Sequence, residues 1–191
     1  TLGVSSGASL GAGLVIVTGV TIPVIGGFTL PFVGFIFGLF TVYLVILFSS
    51  KIDKTMSNNT IILAGMVFSL FVNALLTTLT AMFSEDLKSI ALWQMGSFAM
   101  RGWTYVWLII PFCLVGMIGI LRYTKEMDIL TFGEEQAQSV GVDISKVKTK
   151  LFVFSAILTG GAVSLSGTIG FVDLIAPHVV RKIFGSNNKY V

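Results

Sequence analysis

Residues 31–50 read PFVGFIFGLFTVYLVILFSS, a run without one charged side chain. A helix needs about 20 apolar residues to cross the hydrocarbon core of a bilayer, which is about 30 Å thick. The absence of charge extends beyond this run, since residues 1–50 contain no Asp, Glu, Lys or Arg, and neither do residues 55–84, 102–121 and 151–172. The first window therefore predicts two membrane spans, and each of the others predicts one.

The composition excludes most soluble classes of protein. The chain has 191 residues, of which 54% are hydrophobic and 11% charged, whereas soluble domains have about 25% charged residues. The net charge of +3 comes from residues confined to short connections, which argues against a disordered chain, a soluble enzyme core or a nucleic-acid-binding protein. Cys113 is the only cysteine, so no disulfide can form within the chain.

Helix-breaking residues divide the apolar windows into spans. Pro23, Gly26, Gly27 and Pro31 predict a tight hairpin after a first span that ends near Ile22. The other predicted spans are 31–50, 60–83, 104–121 and 151–166. The last apolar stretch, 171–184, is interrupted by Pro177 and reaches only about 21 Å, too short to cross alone. We predict an all-α polytopic transmembrane helical bundle with five full spans and one short returning helix.

The basic residues predict the orientation, because Lys and Arg in short loops stay on the cytoplasmic side. If the short last helix returns, only Lys88 and Arg101 lie outside, and the other ten basic residues are cytoplasmic. If it does not return, seven basic residues are cytoplasmic and five lie outside. We therefore expect the short helix to return, shielded from lipid by neighbouring helices. The cytoplasmic set is Lys51, Lys54, Arg122, Lys125, Lys146, Lys148, Lys150, Arg181, Lys182 and Lys189.

The longest polar segment, residues 122–150, is the expected cytoplasmic docking surface. Thr131 and Glu134 have the spacing of a capping box, acidic Glu134 and Glu135 favour a helix start, and Gly141 is typical of a helix end. The segment EEQAQSV is predicted to form a short cytoplasmic helix of about two turns. Small residues recur at spacing four in the apolar windows, a pattern that favours close helix packing. The alternative left open is that some of these glycines form a hinge or line a path for substrate. These residues are Gly3, Gly7, Gly11, Gly34, Gly38, Ala156, Gly160 and Ser164.

Candidate chemistry within the chain is sparse. His178 is the only histidine, so with Cys113 it cannot form a realistic metal site, and neither a metal nor another cofactor is expected. The phosphate-binding pattern GxxxxGK[ST] does not occur, so the chain is not expected to be an enzyme or to hydrolyse nucleotide itself. Asp173 lies close to membrane depth, and two interpretations stay open: a structural helix cap, or a contact with a proton or substrate.

Several segments together resemble a known family. LGVSSGASLGA at 2–12, ILAG at 62–65, LWQMGSF at 92–98, FGEEQAQSVGV at 132–142 and GTIGFVDLIAPHVVR at 167–181 are similar to segments of the permeases of ABC importers for iron-siderophores, haem and cobalamin. They occur in the family's order and cover nearly the whole chain. The resemblance implies one permease domain over 1–191, equivalent to about the third to the eighth of ten helices, with about two helices absent at each end.

The resemblance also implies roles for particular residues. In the family the segment similar to 132–142 forms coupling helices in a cleft of the ATP-binding subunit, the loop before the third span forms a cytoplasmic gate, and the third span lines the translocation path. The family usually has glycine where Asp173 stands, and no role is implied for Arg101. The coupling positions are Glu134, Glu135, Ala137, Gly141 and Val142, the gate positions are Ser57, Asn58 and Asn59, the path positions are Met66, Ser69, Asn73 and Thr77, and the residues of uncertain role are Asp173, Pro177, His178 and Arg181.

The function implied is import of a ferric siderophore or a related chelate through a multi-pass permease of the bacterial cell membrane. The expected partners are ATP-binding cassette subunits that hydrolyse ATP, an extracytoplasmic substrate-binding protein, a second permease subunit in a homodimer or heterodimer, and the lipid bilayer, with no nucleic acid. An ion-coupled secondary transporter is the alternative, but it would need ionisable residues at the midplane. A membrane protein with a purely structural role is a third possibility. Haem and cobalamin are alternative substrates for the same importer type.

Overall fold

The computed structural model describes residues 3–23, 26–53, 56–98, 102–168 and 172–184. Within these ranges the regular structure is entirely helical, which confirms the predicted all-α class. Two short 3-10 turns, Gly26–Phe28 and Ser84–Asp86, connect longer elements. The helices are α1 Val4–Thr18, α2 Thr29–Ile52, α3 Asn58–Met82, α4 Leu87–Met95, α5 Trp103–Leu121, α6 Thr124–Leu130, α7 Glu134–Ser139, α8 Ile144–Ser166 and α9 Val172–Phe184.

Four of the described helices, α2, α3, α5 and α8, are long and apolar enough to cross a membrane. The described part of α1 has 15 residues and reaches about 22 Å at 1.5 Å per residue, less than a full span. It ends at Thr18 rather than near Ile22, because Gly19 adopts a left-handed conformation, with φ of 61°, and closes the helix. The predicted end of the first span is therefore wrong.

Two other predicted boundaries also differ from the structure. Pro31 does not lie in the hairpin but in the first turn of α2, where proline is tolerated because its missing N–H has no partner within the helix. α8 begins at Ile144 rather than Leu151, since the side chain of Asp143 accepts a hydrogen bond from the N–H of Lys146 and caps the helix. The basic first turns of α8 obscured this start in the sequence.

The short last helix is present as α9, which begins at Val172 and ends at Phe184. The expected shielding by neighbours is not seen in the described residues, because side chains 175–179 and 181–183 are exposed. The short helices α4 and α6 were not predicted.

Small residues bring α1, α2 and α8 together. A Cβ atom on Gly7 would lie 2.7 Å from the carbonyl oxygen of Phe37 in α2, and one on Gly11 would lie 2.9 Å from that of Val33. A Cβ atom on Gly160 of α8 would lie 3.3 Å from the ring of Phe35. Close backbone approach of this kind favours the packing interpretation of these glycines, since helices in lipid associate through close contact.

The polar connections separate into two groups at opposite ends of the bundle. One group consists of the end of α2, the start of α3, α7 and the start of α8, and we call it the inner end. The other consists of the end of α4 and the end of α8, and we call it the outer end. Lys51, Lys146 and Lys148 lie at or near the inner end, whereas Lys88 lies in α4. This grouping agrees with the charge pattern, and the side of the membrane that each end faces stays a prediction.

Candidate cytoplasmic coupling site

Helix α7 is bounded by two glycines with left-handed backbones. Gly133, with φ of 117°, precedes the helix, and Gly141, with φ of 87°, follows it. The N–H of Gly141 donates to the carbonyl of Gln138 at 3.0 Å, and the N–H of Val142 donates to that of Ala137 at 3.0 Å. This pair of bonds is a Schellman motif, which requires a residue that tolerates positive φ at the position of Gly141. The prediction of Gly141 as the helix end is therefore confirmed.

The predicted capping box at the start of α7 is wrong. Gly133, not Thr131, occupies the N-cap position, and no side chain caps the helix. The hydroxyl of Thr131 instead donates to the carbonyl of Asp128 at 2.6 Å, closing the end of α6. Glu134 and Glu135 do lie in the first turn of α7, as predicted, where negative charge is favoured by the helix dipole.

The five predicted coupling residues differ in their exposure. Glu135 and Gly141 are exposed and Glu134 and Val142 are half-buried, whereas Ala137 is fully buried. Ala137 faces the protein interior and, with Gly141 and Val142, fixes the shape of the helix end. Glu135 and its exposed neighbours are therefore the accessible side of α7.

Two apolar residues of the same segment were not singled out from the sequence. Phe132 is 77% exposed immediately before α7, and Val140 is 67% exposed immediately after it. Large apolar side chains at this exposure, beside acidic and amide groups, are typical of a protein-binding surface. The signal was present in the sequence, because Phe132 is apolar in a polar loop that is predicted to be cytoplasmic.

Glu134 points inward, toward α8. Its Oε1 atom accepts a hydrogen bond of 2.7 Å from the Nζ atom of Lys148. Lys148 is only 6% exposed, and its Nζ atom also donates to the carbonyl oxygen of Met56 at 2.7 Å. A buried ammonium group requires such partners, since burial of an unpaired charge is costly. One lysine therefore joins α7 to the loop before α3.

The predicted gate residues lie at that junction. Ser57 is the N-cap of α3, and its hydroxyl accepts a hydrogen bond from the N–H of Thr60 at 3.4 Å. Oδ2 of Asp53 accepts from the N–H of Ser57 at 3.0 Å, so the turn is held by side chains on both sides. Asn58 and Asn59 begin α3 with exposed side chains.

The predicted path residues follow α3 away from this end. Met66, Asn73 and Thr77 are exposed, whereas Ser69 is half-buried and donates to the carbonyl of Gly65 at 2.7 Å. A Cβ atom on Gly3 of α1 would lie 3.0 Å from the hydroxyl oxygen of Ser69. Three of the four predicted path residues therefore lie on an open surface. The fourth, Ser69, faces Gly3 at the start of α1.

The remaining predicted residues lie in or near α9. The backbone of Asp173 is in the first turn of α9, but its side chain lies outside the described residues, as does all of Arg101. Pro177, His178 and Arg181 are exposed.

A different kind of contact forms the outer end. The N–H of Ser97 donates to the carbonyl of Ser166 at 2.8 Å, and the hydroxyl of Thr168 donates to the carbonyl of Gln94. Between them, a Cβ atom on Gly167 would lie 2.7 Å from the Cα atom of Gly96. Gly167 also has a positive φ of 77°, so this position requires glycine for both its space and its backbone conformation.

A surface ion pair completes the start of α8. Oδ2 of Asp143 lies 2.8 Å from Nζ of Lys146, and both side chains are largely exposed. The hydrogen bonds that Asp143 accepts from the side chain and backbone of Lys146 hold its pKa below the usual value of 3.8. The pair caps α8 and takes no part in the contacts of Lys148.

Residues 1–191 match the FecCD transport family, and the chain belongs to this family. It is 40% identical to the uncharacterized ABC transporter permease protein YvrB of Bacillus subtilis (strain 168), over 100% of this chain and 54% of the relative. It is 34% identical to the cobalamin import system permease protein BtuC of Halobacterium salinarum, over 98% of this chain and 50% of the relative. The chain spans about half the length of these relatives.

A solved structure shows the same fold. A metal-chelate type ABC transporter in an inward-facing conformation superimposes with a TM-score of 0.86 at 33% sequence identity, over 99% of this chain and 59% of that chain. Together with the family match, this confirms the resemblance inferred from the motifs and the assignment to a multi-pass membrane protein.

Proposed function

We propose that the chain is the membrane-spanning subunit of an ATP-driven importer that carries a metal chelate, with a ferric siderophore as the preferred substrate, into the cytoplasm. The observation that carries the proposal is α7, an exposed two-turn helix held between two glycines and attached to the start of α3 through Lys148. Such an element can receive a rigid-body movement and pass it to the membrane helices.

Docking of the ATP-binding subunit is assigned to the exposed side of α7. Glu135 supplies a negative charge, and Phe132 and Val140 supply apolar anchors at the two ends of the helix. Ala137, Gly141 and Val142 shape the helix, and Glu134 attaches it to α8. ATP hydrolysis belongs to that separate subunit, so the chain acts as a permease and not as an enzyme.

The translocation path is assigned to the exposed face of α3. Met66, Asn73 and Thr77 lie on that face, and Ser57, Asn58 and Asn59 lie at its inner end. Residues 55–84 contain no charge, which suits a bulky ligand whose ionic charge is enclosed by its chelator. A second permease subunit faces this surface across the path, and a substrate-binding protein delivers the chelate from outside.

Fewer observations support the choice of chelate than support the choice of importer type. A neutral path is suited to a ferric siderophore, to haem and to cobalamin alike, and the relatives include a cobalamin permease. The preference for a ferric siderophore is supported by relatives that take up iron, which include an Fe(3+)-citrate import system permease and an iron-uptake system permease, both of Bacillus subtilis.

The first test is whether an ATP-binding subunit co-purifies with the full-length permease. The second is uptake of an iron-55 ferric hydroxamate siderophore, compared with labelled haemin and cobalamin, by cells that express the complete transporter. We expect siderophore uptake that survives collapse of the proton gradient while ATP is maintained and fails when ATP is depleted. Higher uptake of haemin or cobalamin would reassign the substrate but not the importer type.

Asp173→Asn separates this function from an ion-coupled carrier. A proton-coupled carrier would need that carboxylate to gain and lose a proton in each cycle, whereas Asn in the first turn of α9 loses only the interaction of a negative charge with the helix dipole, about 0.3–1 kcal/mol. We expect the variant to retain most uptake. Uptake that follows the proton gradient and disappears in the variant would instead establish the secondary transporter.

A further inference from the structure

Lys148 lies in the second turn of α8 and makes two hydrogen bonds to segments that are far apart in sequence. Its Nζ atom donates to the carbonyl oxygen of Met56 and to Oε1 of Glu134, each at 2.7 Å. Its side chain is 8% exposed, compared with 78% for Lys146 one half-turn earlier. A buried ammonium group keeps its partners, since separating them would leave the charge unpaired in a medium of low polarity.

The loop before α3 is seated on α8 by more than this one bond. Met56 is 1% exposed, and its sulfur accepts hydrogen bonds from the hydroxyls of Ser145 at 3.2 Å and Thr149 at 3.6 Å. Its φ of 49° makes it the one described non-glycine residue with a left-handed backbone, a conformation that few side chains adopt. The first two turns of α8 therefore hold both the backbone and the side chain of Met56.

Met56 is directly connected to the start of α3. Ser57 follows Met56 and caps α3, and Asp53 accepts hydrogen bonds from the N–H of Ser57 and the hydroxyl of Thr60. Asp53, Ser57 and Thr60 are thus joined to one another by hydrogen bonds. A displacement of Met56 would carry Asn58 and Asn59 with it, because no flexible segment lies between them.

The other partner of Lys148 belongs to α7, the candidate docking helix. Glu134 is the first residue of α7, and the positive-φ glycines on both sides of the helix allow α7 to rotate as a short rigid body. The Glu134–Lys148 bond is the described salt bridge between α7 and α8. A movement of α7 therefore reaches α8 and Met56 through this side chain.

We propose that Lys148 is a positioning residue that transmits the movement of α7 to the start of α3, through its simultaneous bonds to Glu134 and Met56. The proposal rests on the function above, since it takes α7 as the docking helix and α3 as the gate helix. If Lys148 only stabilised the fold, it would make the same two bonds. Its loss would then not separate ATP hydrolysis from movement at the gate.

The test follows a single cysteine at Asn59, an exposed position on α3, in the complete transporter with Cys113→Ala. The rate of maleimide labelling of the Asn59→Cys position is measured in membrane vesicles without nucleotide and after trapping with ATP and vanadate. We expect a nucleotide-dependent change in this rate. In the Lys148→Met variant we expect the change to fall at least fivefold, while the ATP-binding subunit still co-purifies and hydrolyses ATP.

Lys146→Met is the matched control, because it removes an exposed ammonium group from the same helix two residues earlier, and it should keep the full change. Glu134→Leu is the second variant, since it keeps a similar volume but removes the oxygen that accepts the hydrogen bond from Lys148, and it serves as the test if Lys148→Met does not reach the membrane. The proposal is overturned if either variant in the membrane keeps the full labelling change, or if hydrolysis and labelling decline together in proportion.

Two further outcomes distinguish a failure of the proposed function from a failure of the role of Lys148. If the ATP-binding subunit does not associate with the unaltered permease, the proposed function fails. If it associates and hydrolyses ATP but labelling at Asn59→Cys never responds to nucleotide, the function stands and the role of Lys148 fails.

Discussion

The two ends of α8 are fastened to their neighbours by opposite means. At the inner end, long side chains reach across from α8, and a lysine joins a carbonyl to a carboxylate. At the outer end, backbone meets backbone, with Gly167 against Gly96 and Ser97 bonded to Ser166, and one side-chain bond runs from Thr168 to the carbonyl of Gln94. The several torsions of Lys148 let its bonded partners move together with α8, whereas the close contact of Gly167 with Gly96 leaves no room for adjustment. The comparison indicates a fixed outer end and an inner end whose bonded groups can shift as a unit.

The largest expected effect comes from Gly167→Val at the outer end. The added side chain would collide with Gly96, and a β-branched residue is strained at a φ of 77°, at a cost of about 1–3 kcal/mol for the backbone alone. We expect little folded permease in the membrane, measured by fluorescence-detected size-exclusion chromatography.

Gly102→Val is the control for that experiment, because a Cβ atom there has open space around it and its φ is negative. If both variants accumulate to the same level, the outer end is not the fixed contact that the comparison requires.

A second prediction concerns charge reversal on α7. Reversing Glu134 and Glu135 together to arginine should abolish transport, but Glu134→Arg also sets a second cation beside Lys148 and disturbs the inner end. Glu135→Arg alone should weaken association with the ATP-binding subunit at least about tenfold while leaving thermal stability unchanged. Pull-down titration measures the first quantity, and a melting curve measures the second. If Glu134→Arg alone and Glu135→Arg alone lower the melting temperature equally, Glu134 has no special role at the inner end.

A smaller effect is expected from Phe132→Ala. Truncating an exposed aromatic anchor at a protein interface commonly costs more than about 1 kcal/mol of association, and so the affinity for the ATP-binding subunit should fall several-fold. Phe98→Ala is the control, since Phe98 is 71% exposed on the outer side of the chain. An unchanged affinity in the Phe132→Ala variant would remove Phe132 from the docking surface.

The smallest effect concerns the pH dependence of the Asp143 cap. Its pKa is lowered in the folded protein by the hydrogen bonds from Lys146, so its stabilising effect is present above the unfolded pKa of about 3.9 and is lost as the pH falls through the folded pKa. Melting temperatures of the wild type and Asp143→Asn should therefore change in parallel between pH 5 and pH 8. A divergence within that range would mean that another group titrates with the cap.

The sequence predicted the elements that depend on local patterns. The charge-free windows located α2, α3 and α5, and the acidic pair with Gly141 located α7. The charge pattern places the start of α8 too late, because Lys146, Lys148 and Lys150 resemble loop residues, whereas the helix continues through them beyond the predicted span. Membrane hydropathy marks the apolar part of a helix and not its polar extension.

The site could be predicted only in part, because its central contact is not local. The gate and coupling segments followed from the family resemblance, but the bond between Lys148 and Met56 joins residues 92 positions apart. Nothing in the surrounding sequence distinguishes Lys148 from Lys146, which is exposed and paired with its own helix cap. Only the packing of α3, α7 and α8 makes the difference.

The burial of Met56 has a consequence for its redox chemistry. Methionine is oxidised to the sulfoxide where oxidant reaches the sulfur, and Met56 is shielded whereas Met82 and Met95 are 73% and 75% exposed. A mild peroxide treatment should therefore modify the exposed methionines first and leave Met56 reduced. Because its sulfur becomes accessible only if Met56 separates from α8, oxidation of Met56 that stays slow during ATP turnover, read by mass spectrometry without any added label, would show that Met56 and α8 move together.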